Sequence, residues 1–328
     1  MKNTSIELGR CIAALAVIVI HCSGSYLGDV NNDAWIVAEI LNAASRFAVP
    51  FFFMASGAFV VGRTVFDCKQ YISKRGARLI LPYIFGSLFY LVWSYWYQGA
   101  RFEPFDWVFD FLRGASWFHL WFLPAMFAVS MLSVFCQGLK RDNVKSVRIV
   151  VALLLSISAV NTMLEIGKLT LGNFLASSVY FEYFVCGWVV SHSRKIPIVG
   201  SSIIFILCTL AIGATSIASK AFGYPEWSTA FDSYASPFVI GQSISFYYLV
   251  TSICTPQKMG IFAVRLSHLT LGIYVFHHAV MVMLMDVFNQ SLNASQFTIL
   301  VCVPVSTFVI CAILTSILKY IPIIRSCI

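Results

Sequence analysis

Arg10 and His21 stand at the two ends of a strongly apolar stretch near the start of the chain. In an α-helix their spacing of eleven residues is about 20° more than three full turns, so both side chains face the same way, about 16 Å apart along the axis. A neutral imidazole can take a proton from a hydroxyl group near neutral pH, which makes His21 a candidate general base. The alternative is a structural histidine that hydrogen-bonds a neighbouring helix.

A second ionisable pair, Glu39 and Arg46, lies in the next apolar stretch. The two residues fall within about 20° of the same helical face, and a structural ion pair between them is one interpretation. The other is that Arg46 anchors an anionic or polar group of a substrate, because an ionisable side chain in hydrocarbon is usually either paired or functional.

Arg75 and Arg78 form a third group, at the start of the third apolar stretch. They are spaced i, i+3 and share one face of a helix. Two guanidinium groups held side by side suit a phosphorylated ligand better than lysines would. The alternative is that they only mark the cytoplasmic end of a membrane span.

Four further ionisable residues lie in or beside apolar stretches: His119, Glu182, His277 and His278. His119 and Glu182 are further candidates for a functional role. For the doublet His277-His278 we favour hydrogen bonding between helices over catalysis. The chain has no HExxH or ExxH spacing, so we predict no metal site.

The composition predicts that helices in a lipid bilayer position these residues. Of 328 residues 59% are hydrophobic and 11% are charged, with a mean hydropathy of +0.83, whereas soluble domains carry about 25% charged residues. The apolar stretches are about 20 residues long, which is the length of a membrane-spanning helix. We therefore predict an all-α polytopic protein with about ten spans, forming a single membrane-embedded domain over residues 1–328 without a separate soluble domain.

The predicted spans are 11–28, 36–62, 79–98, 120–138, 149–166, 173–191, 197–217, 236–255, 268–288 and 297–318. The second is long enough to be tilted or broken at Pro50. With a cytoplasmic N-terminus, 17 of the 22 basic residues fall in cytoplasmic segments, so the positive-inside rule predicts that both termini are cytoplasmic. This asymmetry accounts for the net charge of +8, and we predict no nucleic-acid partner.

Taken together, these segments resemble the membrane-bound acyltransferase family three, the bacterial O-acyltransferases that modify surface glycans. The pieces that carry the resemblance are Arg10 with His21, the run from Ser45-Arg46 through Pro50 to Gly57, Arg75 and Arg78 followed by Pro82-Tyr83, His119-Leu120-Trp121, and Ser267 with the run from Thr270 to His277. They occur in family order across nearly the whole chain. The chain looks most like the short O-acetyltransferases of the enterobacterial-common-antigen type, particularly over Asn42 to Gly57.

The resemblance implies a multi-pass protein of the bacterial inner membrane that moves an acetyl group from cytoplasmic acetyl-CoA to a hydroxyl of a surface polysaccharide or lipid-linked sugar. It casts His21 as general base beside Arg10, and Arg75 and Arg78 as ligands of the CoA phosphates. It makes Arg46, Glu39, His119 and Glu182 candidates for positioning the acceptor or stabilising charge on the carbonyl oxygen. Acetyl-CoA would be a co-substrate, with no bound cofactor. Direct transfer and a transient acetyl-histidine both fit. The competing interpretation is a transporter or flippase of lipid-linked sugars.

Overall fold

The structure is a computed structural model that describes residues 4–63, 67–101, 103–114, 116–166, 173–194, 196–253, 257–292 and 294–328. Over these ranges the chain forms helices and connecting turns, and an isolated bridge between Gly62 and Gln137 is the extended pairing recorded there. The predicted all-α polytopic fold is confirmed. Lys2, Lys168 and Lys195, which are among the 22 basic residues of the topology prediction, lie outside the described residues.

The helices are α1 (Thr4–Gly24), α2 (Trp35–Ser45), α3 (Ala48–Val60), α4 (Cys68–Gln98), α5 (Pro104–Leu112), α6 (Phe122–Leu132), α7 (Val144–Ile166), α8 (Asn173–His192), α9 (Ile198–Ala221), α10 (Pro225–Asp232), α11 (Pro237–Ser252), α12 (Gln257–Ser267), α13 (Thr270–Asp286), α14 (Gln296–Leu318) and α15 (Pro322–Arg325). A 3₁₀ turn extends α6 to Cys136, another precedes α7, and a π-helical turn follows α13.

Seven helical segments in the described part of the chain are long and apolar enough to cross a membrane, with α2 and α3 together forming one of them. The other three predicted spans fall on α6, which is shorter, on α8, and on α11, which has 16 residues. Much of α11 is buried among other helices, and such a helix need not present a lipid-length surface of its own. The count of ten spans stays a prediction.

Both ends of the described chain border one cavity. Glu7 and Arg10 near the start line the same cavity as Arg325 and Ile328 near the end. The cytoplasmic position of both termini stays a prediction.

The helix break in the second predicted span comes at Arg46 and Phe47, four residues before Pro50. Proline has no N–H to donate to the carbonyl four residues earlier, and its ring clashes with that carbonyl. Pro50 therefore interrupts the helix at Arg46, and the chain resumes as α3 once Phe51 can donate to the Phe47 carbonyl, at 2.9 Å. The break places the Arg46 side chain at a helix end.

Helix α1 lies inside the bundle and packs against α2, α3, α11, α12, α13 and α14. Small buried side chains such as Ala13 and Ala16 let its neighbours approach closely. On the periphery the exposed faces are apolar, with Leu207 and Leu210 on α9 and Val301 on α14 each about 60% exposed. Lipid is the solvent that suits such faces, and His21 is held away from them.

Helices α3 and α8 approach each other closely, and a glycine on each faces the opposing backbone. A Cβ atom on Gly57 would lie 1.6 Å from the carbonyl oxygen of Phe184, and one on Gly187 would lie 1.9 Å from that of Met54. Backbone atoms cannot rotate aside as side chains do, so neither position accepts a larger residue without separating the helices.

We expect Gly57→Ala to lower the thermal unfolding temperature of the purified protein, because overpacking of this kind costs about 1–3 kcal/mol or more. The matched control is Gly76→Ala on α4, where nothing lies within 4 Å of the added methyl group. Removing a helical glycine there should leave stability unchanged or slightly raised. Equal unfolding temperatures for the two variants in detergent would contradict the close approach of α3 and α8.

Candidate active site

Two cavities meet at His21. The first has a volume of about 570 Å³ and the second about 410 Å³, and the side chains of Ile20 and His21 line both. His21 can therefore be reached from two directions. A group at this position can contact a ligand in each cavity at once.

The first cavity, here called the basic cavity, is strongly cationic. The basic side chains that line it are Arg10, Arg75, Arg78, Lys319 and Arg325. Of the described residues around it, Glu7 is the one acidic side chain. The imbalance favours an anionic ligand, and the cavity continues from this basic end to His21 and His119.

Arg10 and His21 both line the basic cavity, which agrees with the shared helical face that their spacing predicts. The Arg10 guanidinium lies 3.3 Å from the Glu7 carboxylate and 5.7 Å from the centre of the Phe59 ring. Glu7 and Phe59 orient Arg10, and its side chain is still 27% exposed. Arg10 therefore remains able to contact a ligand.

Arg75 is oriented by an aromatic ring that is itself fixed. Its guanidinium lies 5.4 Å from the centre of the Tyr71 ring, within the range of a cation–π interaction. The Tyr71 hydroxyl donates to the Ser130 carbonyl at 2.9 Å, which ties α4 to α6. Arg78, one turn further along α4, is exposed.

Three imidazole rings from different parts of the chain lie together, and two of them, His21 and His119, line the basic cavity. The His21 ring from α1 stacks on His277 from α13 with their centres 5.2 Å apart, and His119, just before α6, lies 4.7 Å from His277 and 6.1 Å from His21. The loop carrying His119 is held by a hydrogen bond from the Tyr274 hydroxyl to the His119 carbonyl. No group of three or more His, Cys, Asp or Glu residues in the described ranges is arranged to hold a metal ion.

The histidine doublet behaves only partly as predicted. His278 Nδ1 accepts a hydrogen bond from Trp117 Nε1 at 3.2 Å, so this residue joins α13 to the segment before α6. His277 Nδ1 instead donates to the carbonyl of Tyr274 on its own helix, at 2.6 Å. Bonding between helices is therefore wrong for His277, because a carbonyl one turn earlier is nearer. Its Nε2 is buried without a hydrogen-bond partner.

The second cavity, here called the distal cavity, combines polar and apolar walls. Asn42, Arg46 and His278 line it together with Phe118 and Met281. The Asn42 amide nitrogen donates to the Ile20 carbonyl and to Ser23 Oγ, at 3.2 and 3.0 Å, whereas its Oδ1 has no partner. A buried acceptor without a donor suits a ligand hydroxyl.

Comparison with known proteins identifies the family. The family model described as the acyltransferase domain matches residues 3–316. The chain belongs to the membrane-bound acyltransferase family three.

Other comparisons with this acyltransferase are limited. Over 138 residues it is 30% identical to the serine/alanine racemase of Enterococcus gallinarum, a match that covers 40% of this chain and 19% of that protein. The chain therefore spans about a fifth of the length of this curated relative. No solved structure matches. The resemblance to the enterobacterial-common-antigen type stays a prediction.

In the acyltransferase, Glu39 and Arg46 do not pair with each other, and that interpretation is wrong. Arg46 pairs with Asp232 at 3.3 Å, and Glu39 pairs with Lys220 at 2.5 Å and accepts from Trp35 Nε1 at 3.1 Å. The reason lies in the tertiary structure. Helix α9 brings Lys220 to Glu39, and helix α10 brings Asp232 to Arg46. Glu39 lies outside both cavities.

Glu182 is buried on α8 and lines neither cavity. Its carboxylate accepts hydrogen bonds from Ser158 on α7 at 3.0 Å and from Ser178 on its own helix at 2.5 Å. The structure thus places Glu182 between helices, away from His21. His119, the other candidate in this class, does reach the basic cavity.

Sequence reasoning missed several residues around the two cavities. Lys319 and Arg325 resemble the other basic residues outside the predicted spans, and Asn42 stands out only as the start of the run from Asn42 to Gly57. The pairing of Asp232 with Arg46 had no signal in the sequence, because 185 residues separate them. A basic residue directly after the last span is the kind of signal that could have drawn attention to Lys319.

We expect Arg46→Met to destabilise the acyltransferase, since it leaves the Asp232 carboxylate, whose side chain is 11% exposed, without its cation. Breaking one partner of a buried pair costs about 3–5 kcal/mol, and less where water reaches it. Adding Asp232→Asn to Arg46→Met should recover part of the loss. Thermal unfolding of the two single variants and the double variant checks this, and additive effects would contradict a direct interaction.

Proposed function

We propose that this acyltransferase moves an acetyl group from cytoplasmic acetyl-CoA to a hydroxyl of a surface-polysaccharide or lipid-linked sugar, with His21 as the general base, in a bacterial inner membrane. The observation that carries the proposal is the position of His21, which lines both the basic cavity and the distal cavity. Donor and acceptor can meet there without either crossing the membrane.

The basic cavity suits the donor. CoA carries its phosphates at one end and its thioester at the other, joined by the flexible pantetheine arm. Arg75 and Arg78 lie at the basic end, in reach of water, and His21 lies about 16 Å beyond Arg10 along α1. Phosphates held at the arginines would leave the arm to extend inward, past Val17 and Phe52, to the imidazole.

The distal cavity suits a sugar hydroxyl. Asn42 Oδ1 can accept from a hydroxyl and Arg46 can donate to one, while Phe118 and Met281 offer apolar surface to the faces of a sugar ring. The distal cavity differs from the basic cavity in charge, because the charge of Arg46 is already balanced by Asp232. A neutral glycan group therefore fits better here than a phosphate.

In the direct route, His21 accepts the hydroxyl proton as the sugar oxygen attacks the acetyl carbon. The carbon–sulfur bond breaks, the sulfur takes the proton, and CoA leaves while His21 returns to its neutral form. In the two-step route, a neutral His21 nitrogen attacks the acetyl carbon, the carbon–sulfur bond breaks, and CoA leaves, its thiolate taking the proton of the acetylated imidazole. The sugar hydroxyl then attacks the acetyl carbon and gives its proton to the imidazole as the carbon–nitrogen bond breaks. His119 lines the basic cavity and is the candidate donor to the carbonyl oxygen in either route.

We expect Arg75→Ala combined with Arg78→Ala to weaken acetyl-CoA binding by about tenfold or more, since charge-assisted contacts to phosphate are lost. Raising the salt concentration should weaken the remaining binding by screening. The matched control is Lys69→Ala with Lys74→Ala, exposed positions on the same helix that do not line the cavity. Binding is measured on purified protein in nanodiscs; equal losses in the two double variants would leave Arg75 and Arg78 as topology signals.

We expect His21→Gln to reduce transfer by about 10²–10⁴-fold at saturating acetyl-CoA, because an amide keeps hydrogen bonding but cannot take a proton. His21→Ala should fail to the same extent, and donor binding should survive both changes. The readout is transfer of labelled acetyl from acetyl-CoA to a lipid-linked glycan extract. His192→Gln, on an exposed end of α8, is the control and should keep activity. Near-normal transfer by His21→Gln would remove His21 from the chemistry and make His119 the leading base.

A further inference from the structure

The segment after α14 returns to the bundle and lines the basic cavity through Lys319, Arg325, Ser326 and Ile328. The family match ends at residue 316, so this segment, residues 319–328, lies beyond the matched region. We call it the return segment. Its contribution to the cavity is a feature of this chain that the family assignment does not supply.

The return segment is held in place at both ends. The Lys319 ammonium donates to the carbonyl of His268, between α12 and α13, at 2.5 Å. Helix α15 closes with the Arg325 amide donating to the Ile321 carbonyl at 2.9 Å. Ile328 is 8% exposed and belongs to the apolar cluster of α13 and α14. The segment is therefore packed against the protein, and its basic groups have a defined place beside the cavity.

The two basic groups of the return segment lack an acidic partner. The ion pairs formed by the described residues involve neither Lys319 nor Arg325, and Glu7, the acid lining this cavity, pairs with Arg10. Partial burial, and secondly the nearby Arg325 guanidinium, lower the pKa of the Lys319 ammonium. Two cations held together without a counter-charge are the arrangement that an anionic ligand stabilises.

We propose that Lys319 and Arg325 bind the nucleotide phosphates of the acyl-CoA donor, together with Arg75 and Arg78. The inference rests on the proposed function, because it takes the donor to be an acyl-CoA. Anionic lipid headgroups carry the same phosphate chemistry and are the other source. The donor is favoured because both residues line the cavity that leads to His21, whereas a headgroup would be held at the lipid-facing edge of the bundle.

The experiment measures binding of CoA, 3′-dephospho-CoA and pantetheine to purified protein in phosphatidylcholine nanodiscs, so that it needs no acceptor. Lys319→Ala with Arg325→Ala should weaken CoA binding by about tenfold or more and leave pantetheine binding unchanged. A smaller loss with 3′-dephospho-CoA than with CoA would place the pair at the 3′-phosphate, and equal losses would place it at the pyrophosphate. The matched control is Arg141→Ala with Lys145→Ala, two exposed basic positions that line neither cavity.

A single variant distinguishes the loss of a positive charge from detachment of the return segment. Arg325→Ala keeps the Lys319 bond to the His268 carbonyl, so it should show part of the loss for CoA and none for pantetheine. An unchanged unfolding temperature checks that the segment stays packed.

Three results would overturn the proposal. Equal CoA binding by wild type and the Lys319/Arg325 double variant removes the return segment and leaves the proposed function standing. A loss that extends to pantetheine means that the cavity has collapsed. A difference that depends on added phosphatidylglycerol, with CoA binding unchanged, assigns the pair to lipid. Failure of the wild-type protein to bind CoA would instead contradict the acyl-CoA donor itself, and with it the proposed function.

Discussion

Hydrocarbon offers no hydrogen bonds, so each buried polar group in this protein needs a partner within the bundle. Most of those described have one: Arg46 is paired with Asp232, Glu39 with Lys220, and Glu182 accepts from Ser158. Unpartnered buried atoms also occur, on Gln242 and Thr307 for example. Two residues with such atoms line the cavities at His21: His119 in the basic cavity and Asn42, through its Oδ1, in the distal cavity. These are the unpartnered groups whose hydrogen bonding a polar substrate in either cavity could complete.

The position of the two cavities depends on how tightly the rest of the bundle is packed. Helices α3 and α8 touch backbone to backbone through Gly57 and Gly187, and the small residues of α1 let six other helices surround it. Larger side chains at these positions would separate the helices and admit lipid or water. The apolar packing thus determines where the remaining empty space lies, and His21 borders it on two sides.

The sequence predicts the parts of this architecture that depend on local periodicity. Hydropathy is enough to predict an all-helical membrane protein. The eleven-residue spacing of Arg10 and His21 is enough to predict that they share one face, because α1 is an unbroken helix. The interpretation that Glu39 pairs with Arg46 also rests on helical periodicity, and it is wrong. Opposite charges from α9 and α10 compete for both residues, and helical periodicity carries no information about contacts between distant segments. For the same reason, helical periodicity does not predict that His119 and His277 lie beside His21.

The junction at His21 also bears on the choice between transfer and transport. A carrier of lipid-linked sugars would have to move a whole saccharide past this point, and so would have to separate the His21 ring from His277 and from Phe118, whose centres lie 5.2 and 5.1 Å away. An acetyltransferase needs to pass only an acetyl group between the two cavities, while CoA stays on one side and the sugar on the other. A side chain that lines both cavities meets that requirement without a large rearrangement of the bundle. Because His21 can be reached from two sides, the arrangement favours acyl transfer at a fixed barrier over transport of a saccharide through it.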